Sequence, residues 1–283
     1  MPELPEVETV RTTLEPAVRG RTIQGLRVGA FEGVLDGERV EDVARRVIGR
    51  RIVQLRRRGK YLILVLDDDS ALVVHLRMTG RLVRRDRSAP PERFEHMAIE
   101  LDDGTDLRFA DQRKFGRVKH VGPDELRQLD ASLGVEPLDP SFTTDTLAAL
   151  LQRRTGRLKS VLLDQALMAG LGNIYADEAL FRARLHPLRT ANRLTADEVS
   201  RLHAAIQDVL REGLVNRGTT FSSYRDGRGE PGENQRNLRV YGKGGTGEPC
   251  PTCSTPLVRI VVGGRGSHIC PTCQPLESLD TQR

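Results

Sequence analysis

The feature that most restricts how this chain can fold is Cys250-Pro251-Thr252-Cys253, followed sixteen residues later by Cys270-Pro271-Thr272-Cys273. Two CxxC pairs at that separation match the ligand spacing of a tetrahedral zinc site. Two disulfides or a redox pair are the alternatives, and no fifth cysteine is left over. Between the pairs, Leu257 to Val262 reads as a strand and Gly263-Gly264-Arg265-Gly266 as a hairpin tip. So small a ribbon lacks an adequate apolar core, and one structural Zn²⁺ can supply the missing stability. The tip glycines leave Arg265 free to project. With four thiolates present, His268 reads as a surface side chain rather than a ligand.

Upstream, 283 residues suggest about two domains. Lys and Arg number 44 against 39 Asp and Glu, for a net charge of +5, which favours a polyanionic partner. No apolar run approaches the roughly 20 residues of a membrane span, and the N-terminus lacks a signal-peptide pattern. A reducing, intracellular location is the default against which the cysteines are read. Stretches 22–29, 51–57, 60–66, 71–76, 81–85, 95–101, 105–110 and 117–121 are short and rich in Val, Ile and Leu. Asp67-Asp68-Asp69 and Asp102-Asp103-Gly104 are among the turns between them. Such spacing predicts a β-sandwich or barrel-like domain. Near 123–140 the pattern breaks at Pro123, Gly134, Pro137 and Pro140, and helical patterns follow at about 143–153, 159–168, 173–184 and 195–216.

The N-terminus reads Met1-Pro2-Glu3-Leu4-Pro5-Glu6-Val7-Glu8. Pro5 suits the first turn of a helix, the glutamates complement its dipole, and Val7, Val10 and Leu14 share one face. This helix should end near Gly20. Removal of Met1 would also turn Pro2 into a free secondary amine. An α-amine has a pKa near 8 against about 10.4 for lysine, so more of it is unprotonated at neutral pH. Its attack on a sugar aldehyde carbon gives an iminium, an electron sink like a lysine Schiff base. Glu3 beside it can supply acid or base. A helix N-terminus next to the amine disfavours the protonated form, so the two readings are compatible.

Three further stretches stand out. Arg56-Arg57-Arg58-Gly59-Lys60-Tyr61 is either a solvated strand edge or a phosphate-contacting edge that delivers Lys60. The turns His75-Leu76-Arg77-Met78-Thr79-Gly80 and Asp111-Gln112-Arg113-Lys114-Phe115-Gly116 carry apolar side chains that in most loops fill a core. Gly170-Leu171-Gly172-Asn173 bends tightly before a helix with Asn173 at its N-cap, either a plain connection or an anion site.

Together these stretches resemble the formamidopyrimidine-DNA glycosylase family over residues 2–275. The resemblance implies an α+β chain. Residues 1–135 would be a catalytic β-sandwich with an N-terminal helix, and 136–235 a helix–two-turns–helix domain with a lesion-recognition loop. A zinc finger would occupy 236–275 and a tail 276–283. It further implies a monomeric, bacterial cytoplasmic enzyme acting on duplex DNA with oxidised bases or abasic sites. Such an enzyme excises oxidised purines opposite cytosine and cuts the strand by β- and δ-elimination. Pro2 is the implied nucleophile, assisted by Glu3, with Lys60 and Arg265 binding phosphates and aiding the second elimination. Met78, Arg113 and Phe115 match three positions that fill the hole left by an everted base, which otherwise costs a few kcal/mol of lost stacking. His75, His96, Arg154, Lys159 and Asn173 are implied DNA contacts. Glu6 and the loop residues Thr219, Thr220, Ser222 and Tyr224 are implied lesion contacts.

The chain departs from the family at Arg77, usually glycine, and at Phe94, commonly a DNA-contacting histidine. His96, two residues on along the expected strand, would face the same side. The aromatic that relatives often carry near Glu233 or Asn234 is absent. An endonuclease VIII-like enzyme, with the same lyase chemistry but a preference for oxidised pyrimidines, is the nearest alternative, and the 218–234 loop, which that branch generally lacks, argues against it. A non-catalytic, zinc-dependent damaged-DNA-binding protein is the alternative from another class.

Overall fold

The computed structural model describes residues 2–276. Met1 and all but the first residue of the expected 276–283 tail lie outside these residues. The chain forms two compact units, Met1–Ser132 with Gly213–Gln235 and Leu133–Glu212 with Arg236–Arg283.

The first unit contains α1 (Leu4–Val18), β1 (Ile23–Val28), α2 (Val40–Val47), β2 (Ile52–Arg58), β3 (Tyr61–Leu66), β4 (Ala71–His75), β5 (Gly80–Asp86), β6 (Glu95–Leu101), β7 (Thr105–Asp111), β8 (Arg117–Val121) and α3 (Pro123–Ser132). The strands make two antiparallel four-stranded sheets, ordered β1-β6-β7-β5 and β2-β3-β4-β8. Alternate residues Leu62, Leu64 and Leu66 of β3 join Met97, Ile99 and Leu101 of β6 in one core, which Val7, Val10, Leu14 and Val18 of α1 complete. This is the β-sandwich with its helix.

The opposite face of β3 and β4 is covered as well. There Ile63, Ala71 and Val73 pack with Val121 against Leu126 and Leu129 of α3. Two-sided burial explains why β3 is apolar throughout rather than alternating. Its cover, α3, falls where the sequence reading saw only a break. Pro123 is the first residue of that helix, a position where a missing N–H costs nothing. Helix α2 was not anticipated either, although Val40, Val43 and Val47 supply the spacing of a buried face.

The second unit contains α4 (Thr144–Gln152), α5 (Leu158–Leu162), α6 (Asn173–Ala183), all but the last three residues of α7 (Ala196–Val215) and the hairpin β9 (Val258–Val262) and β10 (Arg265–Ile269). Helix α5 stops at Leu162 rather than continuing to 168. The backbone beyond it bonds elsewhere, with Gly134 N–H donating to Gln165 O at 2.9 Å and Ala169 N–H to Val135 O at 2.8 Å. The segment Gly213–Gln235, which the sequence reading placed with the helical domain, clusters with the first unit. Arg84 N–H donates to Gly227 O at 2.9 Å and Gly227 N–H to Thr13 Oγ1 at 3.0 Å. No helix among the described residues is long and apolar enough to cross a membrane.

Candidate active site

Pro2 is buried immediately before α1. Glu3 is the N-cap, and a reciprocal capping box locks the first turn: the Glu3 side chain accepts from Glu6 N–H, and Glu6 Oε2 accepts from Glu3 N–H at 2.8 Å. The other Glu6 oxygen accepts from Thr219 N–H at 2.7 Å, and the Tyr224 hydroxyl donates to Glu6 O at 3.2 Å. The backbone around Pro2 is thus fixed by its own helix cap and by the start of the 218–234 loop. That loop is closed at its base, where Asn234 Nδ2 donates to Thr219 Oγ1 at 2.9 Å and Thr220 N–H to Gln235 Oε1 at 2.9 Å.

Lys60 occupies the second place of a two-residue turn between β2 and β3, after Gly59 at φ 54. A positive φ at the first position is what a II′ hairpin turn demands, and glycine meets it without strain. The Lys60 side chain is buried to 7% exposure. The arginines before it engage the protein's own acids. Arg56 grips Asp130 at 2.8 and 3.2 Å, Arg58 reaches Asp130 O at 3.3 Å, and Arg57 bonds Glu8 and Gly59 O, both at 3.0 Å. The basic ribbon therefore anchors the turn that presents Lys60, to α3 on one side and α1 on the other.

The two later turns are tied together by the buried carboxylate of Asp111. It accepts from Phe115 N–H at 2.8 Å, Gly116 N–H at 2.7 Å and Arg113 N–H at 3.1 Å, and it also bonds the Thr79 hydroxyl. Above this base Met78, Arg113 and Phe115 gather in solvent. The Arg113 guanidinium lies 4.6 Å from the Phe115 ring centre and 2.9 Å from Met78 Sδ. Met78 and Phe115 are 42% and 46% exposed, high for apolar side chains with a core at hand.

Beside them, His75 Nδ1 accepts from Arg77 N–H at 3.0 Å, and its ring meets Tyr61 edge-on. Burial, then the Arg77 and Lys60 charges, push its pKa down to about 3. The ring is neutral at physiological pH with its proton on Nε2, so it presents a hydrogen-bond donor without charge.

In the second unit the four cysteine sulfurs all lie within 4.8 Å of one another. Separations of 3.4, 3.5 and 3.8 Å are close to the roughly 3.8 Å edge of a tetrahedron with 2.3 Å zinc–sulfur bonds. Backbone N–H groups of Thr252 and Cys273 point at Cys250 and Cys270 sulfurs, as outer-shell donors to thiolates do. The donor set fits one structural Zn²⁺ and leaves no open position on it. At the hairpin, Gly263 and Gly264 both have positive φ and Arg265 pairs with Val262, giving a two-residue I′ turn beside an exposed Arg265.

Three family models match in chain order. The N-terminal domain of formamidopyrimidine-DNA glycosylase covers residues 1–118, its H2TH domain 133–225, and the zinc finger found in FPG and IleRS 247–276. A formamidopyrimidine-DNA glycosylase of Herpetosiphon aurantiacus is 48% identical over 274 residues, 97% of this chain and 100% of the relative. The chain belongs to the formamidopyrimidine-DNA glycosylase family. A Lactococcus lactis FPG mutant in complex with a Fapy-dG containing DNA superposes with a TM-score of 0.89 at 36% identity. The same organism's Fpg with abasic-site DNA gives 0.88 at 36%, and each covers 97% of this chain and 100% of the other.

Several side chains that the glycosylase resemblance made ligand contacts are placed otherwise. His96 is buried, donating to Asp111 O at 2.8 Å and packing on Phe31. The expectation that it shares a face with Phe94 fails because β6 is bulged between Glu95 and Met97, while Phe94 sits exposed at φ 63 outside the strand. Tyr224 belongs to the sandwich core, and burial raises its phenol pKa well above the ordinary value. Thr219 is buried at the loop base, whereas Ser222 is exposed and Thr220 half-buried. Glu6 is 1% exposed and holds the loop through Thr219. Arg77 accepts the glycine-like φ of 54 despite its side chain.

In the helical half Arg154 is exposed, but Lys159 is wholly buried, 2.7 Å from Asp177. Burial pushes the Asp177 carboxyl up and Lys159 opposes that shift. The N-cap of α6 is Gly172, so Asn173 is the first helical residue and its side chain donates to Gly266 O at 3.0 Å. Sequence reasoning missed Asp111, Glu8, Asp130, Asp177 and Glu178. Glu178 accepts from the N–H groups of Arg239, Val240 and Tyr241 at 2.8–2.9 Å and so ties the segment before the zinc ribbon to α6. Only the Asp177-Glu178 pair after the Gly-Asn turn gave a local hint.

Proposed function

We propose that this chain, with Met1 removed, excises oxidised purines, 8-oxoguanine and formamidopyrimidines, from duplex DNA opposite cytosine and cleaves the resulting abasic site. The observation that carries the reading is the locked capping box around Pro2, which fixes the N-terminal nitrogen at the positive end of α1. That nitrogen attacks C1′ of the damaged nucleoside. The base departs as Glu3 assists opening of the sugar ring, and an iminium forms between Pro2 and C1′. The iminium acidifies the C2′ hydrogens, so loss of one expels the 3′ phosphate in β-elimination. A second proton loss expels the 5′ phosphate in δ-elimination, with Lys60 and Arg265 holding phosphates. Neutral His75 adds a donor for a phosphate oxygen, and Arg154 and Asn173 offer further donors. Met78, Arg113 and Phe115 fill the duplex where the nucleotide has left, and Arg113 reads the opposite base as a planar donor. Zinc holds the ribbon in shape. DNA as substrate puts the enzyme in the bacterial cytoplasm, at the nucleoid.

The closed loop base at Thr219–Gln235 supports an oxidised-purine rather than a pyrimidine preference. Parallel excision assays on 8-oxoguanine:cytosine and thymine glycol:adenine duplexes test it. Faster release of 8-oxoguanine is expected, and the reverse order would assign the chain to the pyrimidine branch.

A further inference from the structure

The lysine of α5 is engaged inside the protein. Lys159 is 0% exposed, and its ammonium meets three acceptors: Gly266 O at 2.9 Å, Ser267 Oγ at 2.7 Å and Asp177 Oδ1 at 2.7 Å. Two of these contacts are hydrogen bonds and the third is an ion pair, so the ammonium's charge is met inside the protein. Asp177, 1% exposed, returns to the same strand by accepting from His268 N–H at 3.0 Å through its other oxygen. Asn173 places a second donor on Gly266 O at 3.0 Å. Residues 266–268, immediately after Arg265, are therefore held from beneath by side chains of α5 and α6. The tip rests on α5 as well, since a Cβ at Gly263 would lie 2.6 Å from Ser160 Oγ.

We propose that the buried Lys159–Asp177 pair is a positioning device that sets the place and direction of Arg265 on the zinc hairpin. A buried ion pair stabilises a fold weakly against an apolar replacement, but it fixes one geometry, since any other leaves a charge unmet. An exposed arginine beside a two-residue turn needs that constraint, because the turn defines the course of the chain but not where the whole hairpin sits. The proposal rests on the reading of Arg265 as a phosphate ligand and gives Lys159 no contact with DNA.

The test is a double-mutant cycle on the full-length, zinc-loaded enzyme, with δ-elimination on a pre-formed abasic duplex and the salt dependence of DNA affinity as readouts. Lys159→Met should slow δ-elimination about tenfold and flatten the slope of log Kd against log[salt] by about one phosphate's worth, the effect expected of Arg265→Ala. In the Arg265→Ala background it should add less than about twofold, because the two residues act as one unit. Ser267→Ala, which removes one Lys159 acceptor at little folding risk, should behave the same way with a smaller loss. Zinc content and melting temperature, measured alongside, separate positioning from general destabilisation. Equal losses from Lys159→Met in both backgrounds would overturn the proposal alone, as would losses in Ser267→Ala that track melting temperature. An Arg265→Ala enzyme of full activity would overturn the reading of Arg265 and this proposal with it.

Discussion

Lys60 and Lys159 look alike in sequence, each a lysine at the edge of a basic, turn-rich stretch. At Lys60 the surrounding arginines are consumed by Glu8 and Asp130 and the lysine stands at the tip of its turn, 7% exposed. At Lys159 the lysine itself is consumed, by Asp177 and the backbone of the zinc hairpin, and the exposed cation is Arg265 one layer away. In one place arginines hold the turn that carries a lysine, and in the other a lysine holds the strand that carries an arginine. A cation in a motif therefore says that charge is needed nearby, but not which side chain delivers it. The two regions also differ in how they are held. The first stands on a sandwich core sealed on both faces of β3, whereas the ribbon's apolar cluster consists of Phe181, Val240, Leu257, Cys250 and Cys270, with Cys273 packed against it.

The largest effect should come from that difference. Removing zinc with a strong chelator, or replacing Cys270 by Ser, should melt the ribbon, because apparent zinc-binding energies of about 10–16 kcal/mol are folding energy in such modules. DNA affinity should fall at least about a hundredfold while the sandwich keeps its own unfolding transition, read by calorimetry. A joint collapse of both regions would break the contrast.

Next, Met78→Ala with Phe115→Ala removes the exposed apolar pair that the Asp111 carboxylate holds in place. If these side chains replace lost stacking worth a few kcal/mol, excision from duplex should drop roughly thirtyfold. Excision from single-stranded lesion DNA should be unchanged, and equal losses on both substrates would remove the void-filling role.

The smallest effect belongs to Arg77. A non-glycine residue in the left-handed region costs roughly 1–2 kcal/mol, partly offset by the chain entropy of glycine, so Arg77→Gly should stabilise the first unit by about 0.5 kcal/mol. It also deletes a charge that depresses His75, so the imidazole should titrate higher than about 3, measured by NMR. The sign follows from linkage. A histidine held below its unfolded pKa destabilises the fold progressively as pH falls from about 6.5, and the variant should lose less stability over that window. An unmoved His75 would mean that burial and the Lys60 charge set its pKa without Arg77.

What was legible in the sequence follows the same division. The eight sandwich strands, the ends of α1 and the zinc site were readable from spacing along the chain, whereas the Met78–Arg113–Phe115 trio was named only through the family resemblance, Met78 and Arg113 lying 35 residues apart. Helix α3 was hidden because its three opening signals, Pro123, Asp124 and Glu125, read equally as a turn. His96 and Tyr224 were misread because a one-residue bulge places the first, and a hydrogen-bond partner 218 residues upstream and the sandwich core place the second. Lys159 was misread because its partners, Asp177 and Gly266, come from other elements, and no local pattern announces a buried ion pair.

The proposed reaction requires the Pro2 nitrogen to bond to C1′ of the damaged nucleoside. Borohydride trapping of the processed, zinc-loaded enzyme on an 8-oxoguanine duplex, followed by intact-mass and peptide analysis, addresses it directly. The expected result is a stable adduct on the N-terminal peptide that disappears in Pro2→Gly and persists in Lys60→Ala. Release of 8-oxoguanine without an adduct, or an adduct on a lysine, would contradict it.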